Sequence, residues 1–284
     1  MSTKALAGLS LRPMTAQDLA RAEDLSRDHQ WPHREEDWAF FLSIGEGLVA
    51  ERDGLVIGTI MAWRFGPRVA TLGMVIVDKA AQGQGIGRAL MEAMLARLEG
   101  MSVVLNATAE GLPLYRKLGF AEIGCIHQHQ GPAPVVPLAA LRPDERVRPM
   151  GPADADIADL YSRASGMDRT ALVAALMARD KGVVLTRDHV PVGFAMLRRF
   201  GRGWSIAPVI APDADGAKVL ILHGLAQHTG TFCRLDVSDE SGLSPCLAEL
   251  GLPRVGGGIK MVRGPAPVED TAFHVFGLTT QALT

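Results

Sequence analysis

The stretch VIVDKAAQGQGIGRALM, residues 75–91, decides how the rest of the chain is read. Its first residues close an apolar run, VATLGMVIV at 69–77, that suits a buried strand. Its last residues open GIGRALMEAMLARLE, 85–99, which carries the spacing of a helix. Between the two stand Gly83, Gly85 and Gly87. Glycine lets a backbone approach a ligand with no Cβ in the way. The first amides of a helix lack internal partners, and the helix dipole adds positive potential at that end. A strand, a glycine loop and a helix in this order therefore form a place for a phosphate or pyrophosphate held by N–H groups, and Arg88 adds a charge beside it. Two common phosphate loops are excluded. A Walker loop needs Lys-Ser/Thr after its last glycine, and here Arg88-Ala89 follow Gly87. The dinucleotide fingerprint, counted from Gly83 and Gly85, needs a third glycine where Arg88 stands.

Outward from this loop, GLVAERDGLVIGTIMAWRFG at 47–66 reads as a hairpin, with strands at 47–51 and 55–64 around Asp53-Gly54. Leu9–Arg12 is a short strand, and Thr15 is placed to cap a helix from Ala16 by accepting one of its orphan N–H groups. EEDWAFFLS, 35–43, is a second helix. Downstream come a strand SVVLN at 102–106, a helix over 111–118 and a strand after Gly119. Antiparallel strands first and a strand–helix–strand crossover later give an α/β (α+β mixed-sheet) fold with helices on both faces.

The chain also repeats itself. LRPMTAQDLARAEDLSR, 11–27, returns as VRPMGPADADIADLYSR, 147–163, and 47–66 returns as GVVLTRDHVPVGFAMLRRFG, 182–201. Two ordered segments at a nearly constant offset point to two related domains, 1–140 and 141–284. The joint, GPAPVVPLAALRPDERVRP at 131–149, holds five prolines and reads as edge strand plus linker.

Composition narrows the partners. Hydrophobic residues make up 48% and charged residues 21%, as in soluble globular chains. Aromatics at 5% leave no stacking platform for single strands, and a net charge of -2 gives no field for a phosphate backbone, so no nucleic-acid partner is expected. No 18-residue apolar run and no charged leader before one point away from a membrane, and the expected location is cytoplasmic. Cys125, Cys233 and Cys246 form no disulfide framework. Cys125, His127 and His129 share one strand face but lack a fourth ligand, so no metal is expected.

Gln82-x-x-Gly85-x-Gly87, after a strand and opening a long helix, resembles the acyl-CoA signature of the GCN5-related N-acetyltransferases (GNAT). LYRKLGF, 114–120, resembles that family's second signature at the expected distance. The resemblance covers residues 9 to about 140, and with the repeat it implies tandem acyl-CoA N-acyltransferase folds. It implies acetyl-CoA as cosubstrate, with the amides of Gln82, Gly83, Gln84, Gly85, Ile86, Gly87 and Arg88 on the pyrophosphate. It further implies that Met74, Val75 and Val77 pair with the pantetheine arm like another strand. The thioester would then lie where strands 69–77 and 102–106 splay, with Asn106 at the edge and Thr108 close by.

Direct acetyl transfer needs a neutral amine, although an alkylammonium has a pKa of about 10. It also needs a polarised carbonyl and a proton for the departing thiolate. In the family the tyrosine of the second signature commonly gives that proton, which implies the role for Tyr115; core packing beside Leu118 and Phe120 is the other reading. The base is poorly signalled, because TLGMV carries no acid where family members often have a glutamate. His29 in RDHQWPH is the side-chain candidate, Asp28 and Glu46 stand behind it, and water is the competitor. Trp31, Trp38 and Trp63 suit either an acceptor pocket or a core. The acceptor expected first is a small-molecule amine, with a peptide or protein amine behind it. The missing acid leaves a non-catalytic acyl-CoA sensor as the alternative.

The second copy has lost these features. Ala217, Val219 and Ile221 replace Gly83, Gly85 and Gly87, and Leu247 of CLAELGL replaces Tyr115. It is expected to keep the fold and to frame the acceptor site or form a homodimer interface. MVRG at 261–264 and the tail 271–284 suit closing strands, and Asp236 and Glu240 read as solvated loop acids first and as acids facing an amine acceptor second.

Overall fold

The computed structural model describes residues 8–137, 139–154 and 156–284. Contacts divide the chain into two compact units, residues up to Leu105 and Asn106–Thr284. No helix among the described residues is long and apolar enough to cross a membrane.

The first unit contains β1 (Leu9–Pro13), α1 (Leu19–Asp28), α2 (Glu35–Ser43), β2 (Glu46–Arg52), β3 (Leu55–Phe65), β4 (Val69–Val77), α3 (Ile86–Arg97) and most of β5 (Ser102–Ala107). Its strands follow the order β1-β2-β3-β4-β5, antiparallel except for the β4–β5 pair. Helices cover both faces. A Cβ at Gly58 would press on Leu90 and Ile86 of α3, whereas five residues on, and so on the opposite face, the Trp63 indole donates to the Phe41 carbonyl at the end of α2. Trp38 and Trp63 are fully buried, and the Trp38 indole donates to Ser26 Oγ at 3.1 Å. Both therefore belong to the core rather than to an acceptor pocket.

The second unit contains α4 (Leu112–Lys117), β6 (Ala121–Pro132), β7 (Glu145–Pro149), α5 (Ile157–Ser165), α6 (Thr170–Met177), β8 (Lys181–Arg187), β9 (Val190–Phe200), β10 (Gly203–Ala211), α7 (Ala214–Gln227), β11 (Phe232–Ser238), α8 (Ser244–Glu249), β12 (Arg254–Arg263) and β13 (His274–Gly277). Its strand order is β12-β6-β11-β10-β9-β8-β7, with β13 added to β10. The repeat assigns β6 to the first copy, yet β6 is hydrogen-bonded on one side to β11 and on the other to β12.

The twin openings have one physical cause. Arg12 on β1 makes two hydrogen bonds to Asp18, at 2.9 and 2.8 Å, and Arg148 on β7 makes the same two to Asp154, at 2.8 and 2.6 Å. Each carboxylate also accepts a backbone N–H across the turn, from Thr15 at 2.8 Å or Gly151 at 2.7 Å. The spacing Arg-x5-Asp thus pins strand to helix in both copies. Thr15 is the N-cap, as expected, and closes a capping box with Asp18, whose carboxylate also meets the Thr15 hydroxyl at 3.1 Å. The arginine hydrogen bonds hold Asp18 and Asp154 below the usual carboxylate range, against the opposing effect of burial. Folded pKa values below the unfolded ones, near ~3.9, mean stabilisation that is present above that value and lost as pH falls through the folded values. Asp18→Asn with Asp154→Asn should therefore cost about 1–2 kcal/mol each near neutrality, a figure kept low because the arginines are partly exposed. Urea midpoints measured from pH 6 to 2.5 should fall less steeply in the double variant than in the wild type.

Candidate active site

The loop after β4 is built around Asp78. Its carboxylate accepts from the Ala80 amide at 3.0 Å and from Arg21 at 2.6 Å, so the chain turns before the glycines. Gly83 and Gly85 then adopt φ of +74° and +85°, a region that side chains with a Cβ rarely enter. Gly85 is the N-cap of α3, and no side chain caps that end. The first amides of α3 are therefore left without an internal acceptor at the positive end of the helix. A Cβ at Gly83 would touch nothing within 4 Å, so the space above the loop is open. These features fit the pyrophosphate of an acyl-CoA. Gln84 accepts from Arg52 at 2.9 Å and is thereby fixed beside the loop. Arg88 pairs with Glu92 at 2.7 Å on an exposed face, a surface contact worth about 0–1 kcal/mol and easily exchanged for a phosphate.

β4 carries the second feature. Its register against β3 slips between Thr59 and Met61, and Met74 at the slip has φ of +54°. This is a β-bulge, which re-aims the backbone groups that follow it. Thr59 Oγ1 donates to the Met74 carbonyl at 2.8 Å and holds the bulge in place. Sequence reasoning missed Thr59, although a fully buried hydroxyl in the apolar strand LVIGTIMAW was the available signal. β4 pairs with β5 only over Val69–Thr71, against Ser102–Val104. Beyond that point the edge of β4 that includes Met74, Val75 and Val77 is open to another strand-like group. His29, at the end of α1, meets this edge: its Nε2 lies 3.0 Å from the Val77 carbonyl. A carbonyl only accepts, so Nε2 carries the proton, and Nδ1 is the basic nitrogen of the neutral ring.

In the second unit, Tyr115 lies in α4 and is 8% exposed, with its ring edge-on to Phe120 at 6.1 Å. Burial pushes its phenol up to about 12. The rest of the LYRKLGF motif stops the helix. Gly119 takes φ of +85°, its amide donates to Arg116 O at 3.1 Å, and the Phe120 amide donates to Tyr115 O at 3.1 Å. That is a Schellman cap, and CLAELGL repeats it with Gly251 at φ +92°, Gly251 N to Ala248 O and Leu252 N to Leu247 O. The glycine and the apolar residue after it serve the fold in both copies; only the tyrosine is special to one. Asn106, on β5, donates from Nδ2 to the Gln281 carbonyl at 2.8 Å. The acid expectation for Asp236 is corrected: it is a buried strand residue, 3% exposed and bonded twice to Arg234, because Arg-x-Asp on a strand puts both side chains on one face. His129 bridges Leu252 O and Ser244 Oγ, and His127 faces Asp239 at 3.3 Å, so both fasten the segment after β11.

The same positions in the second copy are closed by the chain itself. β10 slips against β9 at Ala207-Pro208, where Pro208 stands at the position of Met74 and has no N–H to offer. β10 pairs with β11 only at Trp204 and Ser205, and β13 occupies the opened edge of β10, pairing Val209–Ala211 with Gly277–His274. α7 starts at Ala214, so Ala217, Val219 and Ile221 lie inside the helix and no loop remains. Asp213 caps it, accepting from Gly216 N at 2.7 Å, and Arg142 binds the same carboxylate at 3.1 Å. A side-chain carboxylate thus sits at the helix end where the first copy leaves open amides. Asp213→Ala should lower stability by about 1 kcal/mol, the usual value of such a cap, which denaturant melts of the variant would show.

Comparison with known proteins places these features in a family. The acetyltransferase (GNAT) domain matches residues 43–122 and again, in a second form, residues 157–277. An uncharacterised N-acetyltransferase of Bacillus subtilis, YitH, is 30% identical over 238 residues, 81% of this chain and 82% of that protein. Among solved structures, a putative acetyltransferase from Pyrococcus horikoshii superposes with a TM-score of 0.80 at 18% identity, covering 98% of this chain and 96% of that one. A tandem GNAT protein from the clavulanic acid biosynthesis pathway superposes at 0.66 with 14% identity, covering 91% and 99%. Two domain matches in one chain, over a glycine loop that is open in the first copy and self-capped in the second, make this chain a tandem member of the GNAT acetyltransferase family.

Proposed function

We propose that the chain transfers an acetyl group from acetyl-CoA to a primary amine, a small molecule first and a peptide or protein amine second, by direct attack on the thioester. The observation that carries this reading is the uncapped glycine turn at the N-terminus of α3, set beside its sealed counterpart at α7. Acetyl-CoA supplies an activated acetyl group. The amides of Gln82 through Arg88 hold the pyrophosphate, and the open edge of β4 from Met74 to Val77 receives the pantetheine arm as an added strand. Asn106 meets the same arm.

Tyr115 acts as general acid toward the thiolate, and a phenol held at about 12 is fully protonated at every physiological pH. His29 Nδ1 takes a proton from the acceptor ammonium and leaves a neutral amine to attack, its ring oriented by the bond to Val77 O. In this reading residues 1–140 carry the cofactor, and residues 141–284 serve acceptor choice or self-association in the cytoplasm.

Calorimetric titration with CoA, followed by thiol release from acetyl-CoA with a panel of amines, tests the proposal. One CoA bound per chain and amine-dependent thiol release support it. Binding without turnover across the panel turns the reading to an acyl-CoA sensor, which the absence of a carboxylate from β4 favours.

A further inference from the structure

Asn106 and Gln281 are fixed in sense by partners that can only accept. Asn106 Nδ2 donates to the main-chain carbonyl of Gln281 at 2.8 Å, so its Oδ1 must point the other way. That Oδ1 is buried, and no hydrogen-bond partner reaches it among the described residues. Gln281 Nε2 in turn donates to Asp236 Oδ1 at 3.0 Å, and Asp236 is held by Arg234. Gly258 completes the enclosure, since a Cβ there would stand 3.3 Å from Gln281 Oε1 and 3.2 Å from the Ala107 carbonyl.

The segment that carries Gln281 is anchored at several points. β13 is paired with β10, the Leu278 amide donates to Asp236 O at 2.8 Å, and Arg198 donates to Thr279 O at 2.8 Å. Tyr161 meets Thr279 Oγ1 at 2.9 Å, and Arg169 donates to the Leu283 and Thr284 carbonyls. A buried acceptor without a donor costs free energy, and it is tolerated where a ligand completes it. Asn106 lies two residues beyond Val104, the last residue of β5 paired with β4.

We infer that Gln281 is a positioning residue for acetyl transfer: the tail aims Asn106 Oδ1 at an N–H donor of the bound substrates. The donor is an amide N–H of the pantetheine arm or the N–H of the acceptor amine. The inference rests on the reading of Asn106 given under Proposed function.

The test compares Gln281→Ala, Gln281→Glu and Asn106→Ala by calorimetric CoA affinity, by KM for each substrate and by thermal melting. Loss of the side chain at 281 keeps the main-chain carbonyl that receives Asn106 but unties it from Asp236, and should weaken the complex by up to about tenfold, the size of one hydrogen bond, in CoA affinity if the pantetheine amide is the donor and in KM for the amine alone if the acceptor is. In Gln281→Glu a second carboxylate meets Asp236, so its defect should shrink as pH falls toward the carboxylate range, a profile that loss of folding does not produce. Wild-type affinity and KM in both Gln281 variants, with Asn106→Ala impaired, overturns the tail's role alone. Wild-type behaviour of Asn106→Ala overturns the reading of Asn106 on which it rests.

Discussion

Tyr115→Phe is expected to lower kcat by about two to four orders of magnitude, the range of a positioned general acid, with KM for acetyl-CoA nearly unchanged. The substitution removes one oxygen and keeps the ring that packs against Phe120. No hydrogen bond among the described residues engages the Tyr115 hydroxyl, so the fold loses little with it, and melting should stay within a few degrees of the wild type. The pH dependence follows from the direction of the shift. Burial raises the folded pKa to about 12, so the acid form persists below that value, and the rate has no alkaline decline from Tyr115 below pH of about 11. Single-turnover thiol release from pH 6 to 10 reads both effects. A kcat within threefold of the wild type would show that Tyr115 is a packing residue and that the thiolate leaves unaided.

Gly85→Val is expected to abolish measurable CoA binding, a loss of at least about a hundredfold, while the unit stays folded. Gly85 sits at φ +85° as the N-cap of α3, and a β-branched residue pays roughly 1–2 kcal/mol or more to adopt that conformation. The chain can escape the strain by extending the helix through the loop, and the protein contains the outcome of that escape. At the matching position Val219 is inside α7, which begins at Ala214, and the loop is gone. Calorimetry with CoA and far-UV circular dichroism would show lost binding with helix content equal to or slightly above the wild type. Retained CoA affinity would remove the glycine turn from the cofactor site.

Local periodicity made much of this legible. EEDWAFFLS and VATLGMVIV fold as α2 and β4 with the bounds that their pattern implies, because apolar spacing and the flanking turn residues agree at both ends. The glycine loop was readable because positive φ restricts residue choice. Pairing between distant segments leaves no such mark. Nothing in TAFHVFGL announces that β13 fills the edge of β10, and nothing in AEIGCIHQHQGP chooses β11 and β12 as partners of β6. The decay of the second glycine loop was visible, but its replacement by a carboxylate was not, since Asp213 becomes a cap only once α7 starts next to it. Asp236 taken alone reads as a loop acid; the same-face Arg234 two residues before it is what makes it a buried, paired strand residue.

The lacing of β6 also bears on how this protein can be divided. The proline-rich segment near residue 140 looks like the natural place to cut two modules apart. A cut there would take β6 away with the first module and leave β11 and β12 each with a naked edge, a surface that recruits other chains. A fragment beginning at Asn106 keeps every described strand pairing of its sheet from β12 to β7. The boundary near residue 140 read from the repeat and the boundary at Asn106 drawn by contacts thus fall at different residues, and a cut at the second leaves the pairings of β6 whole.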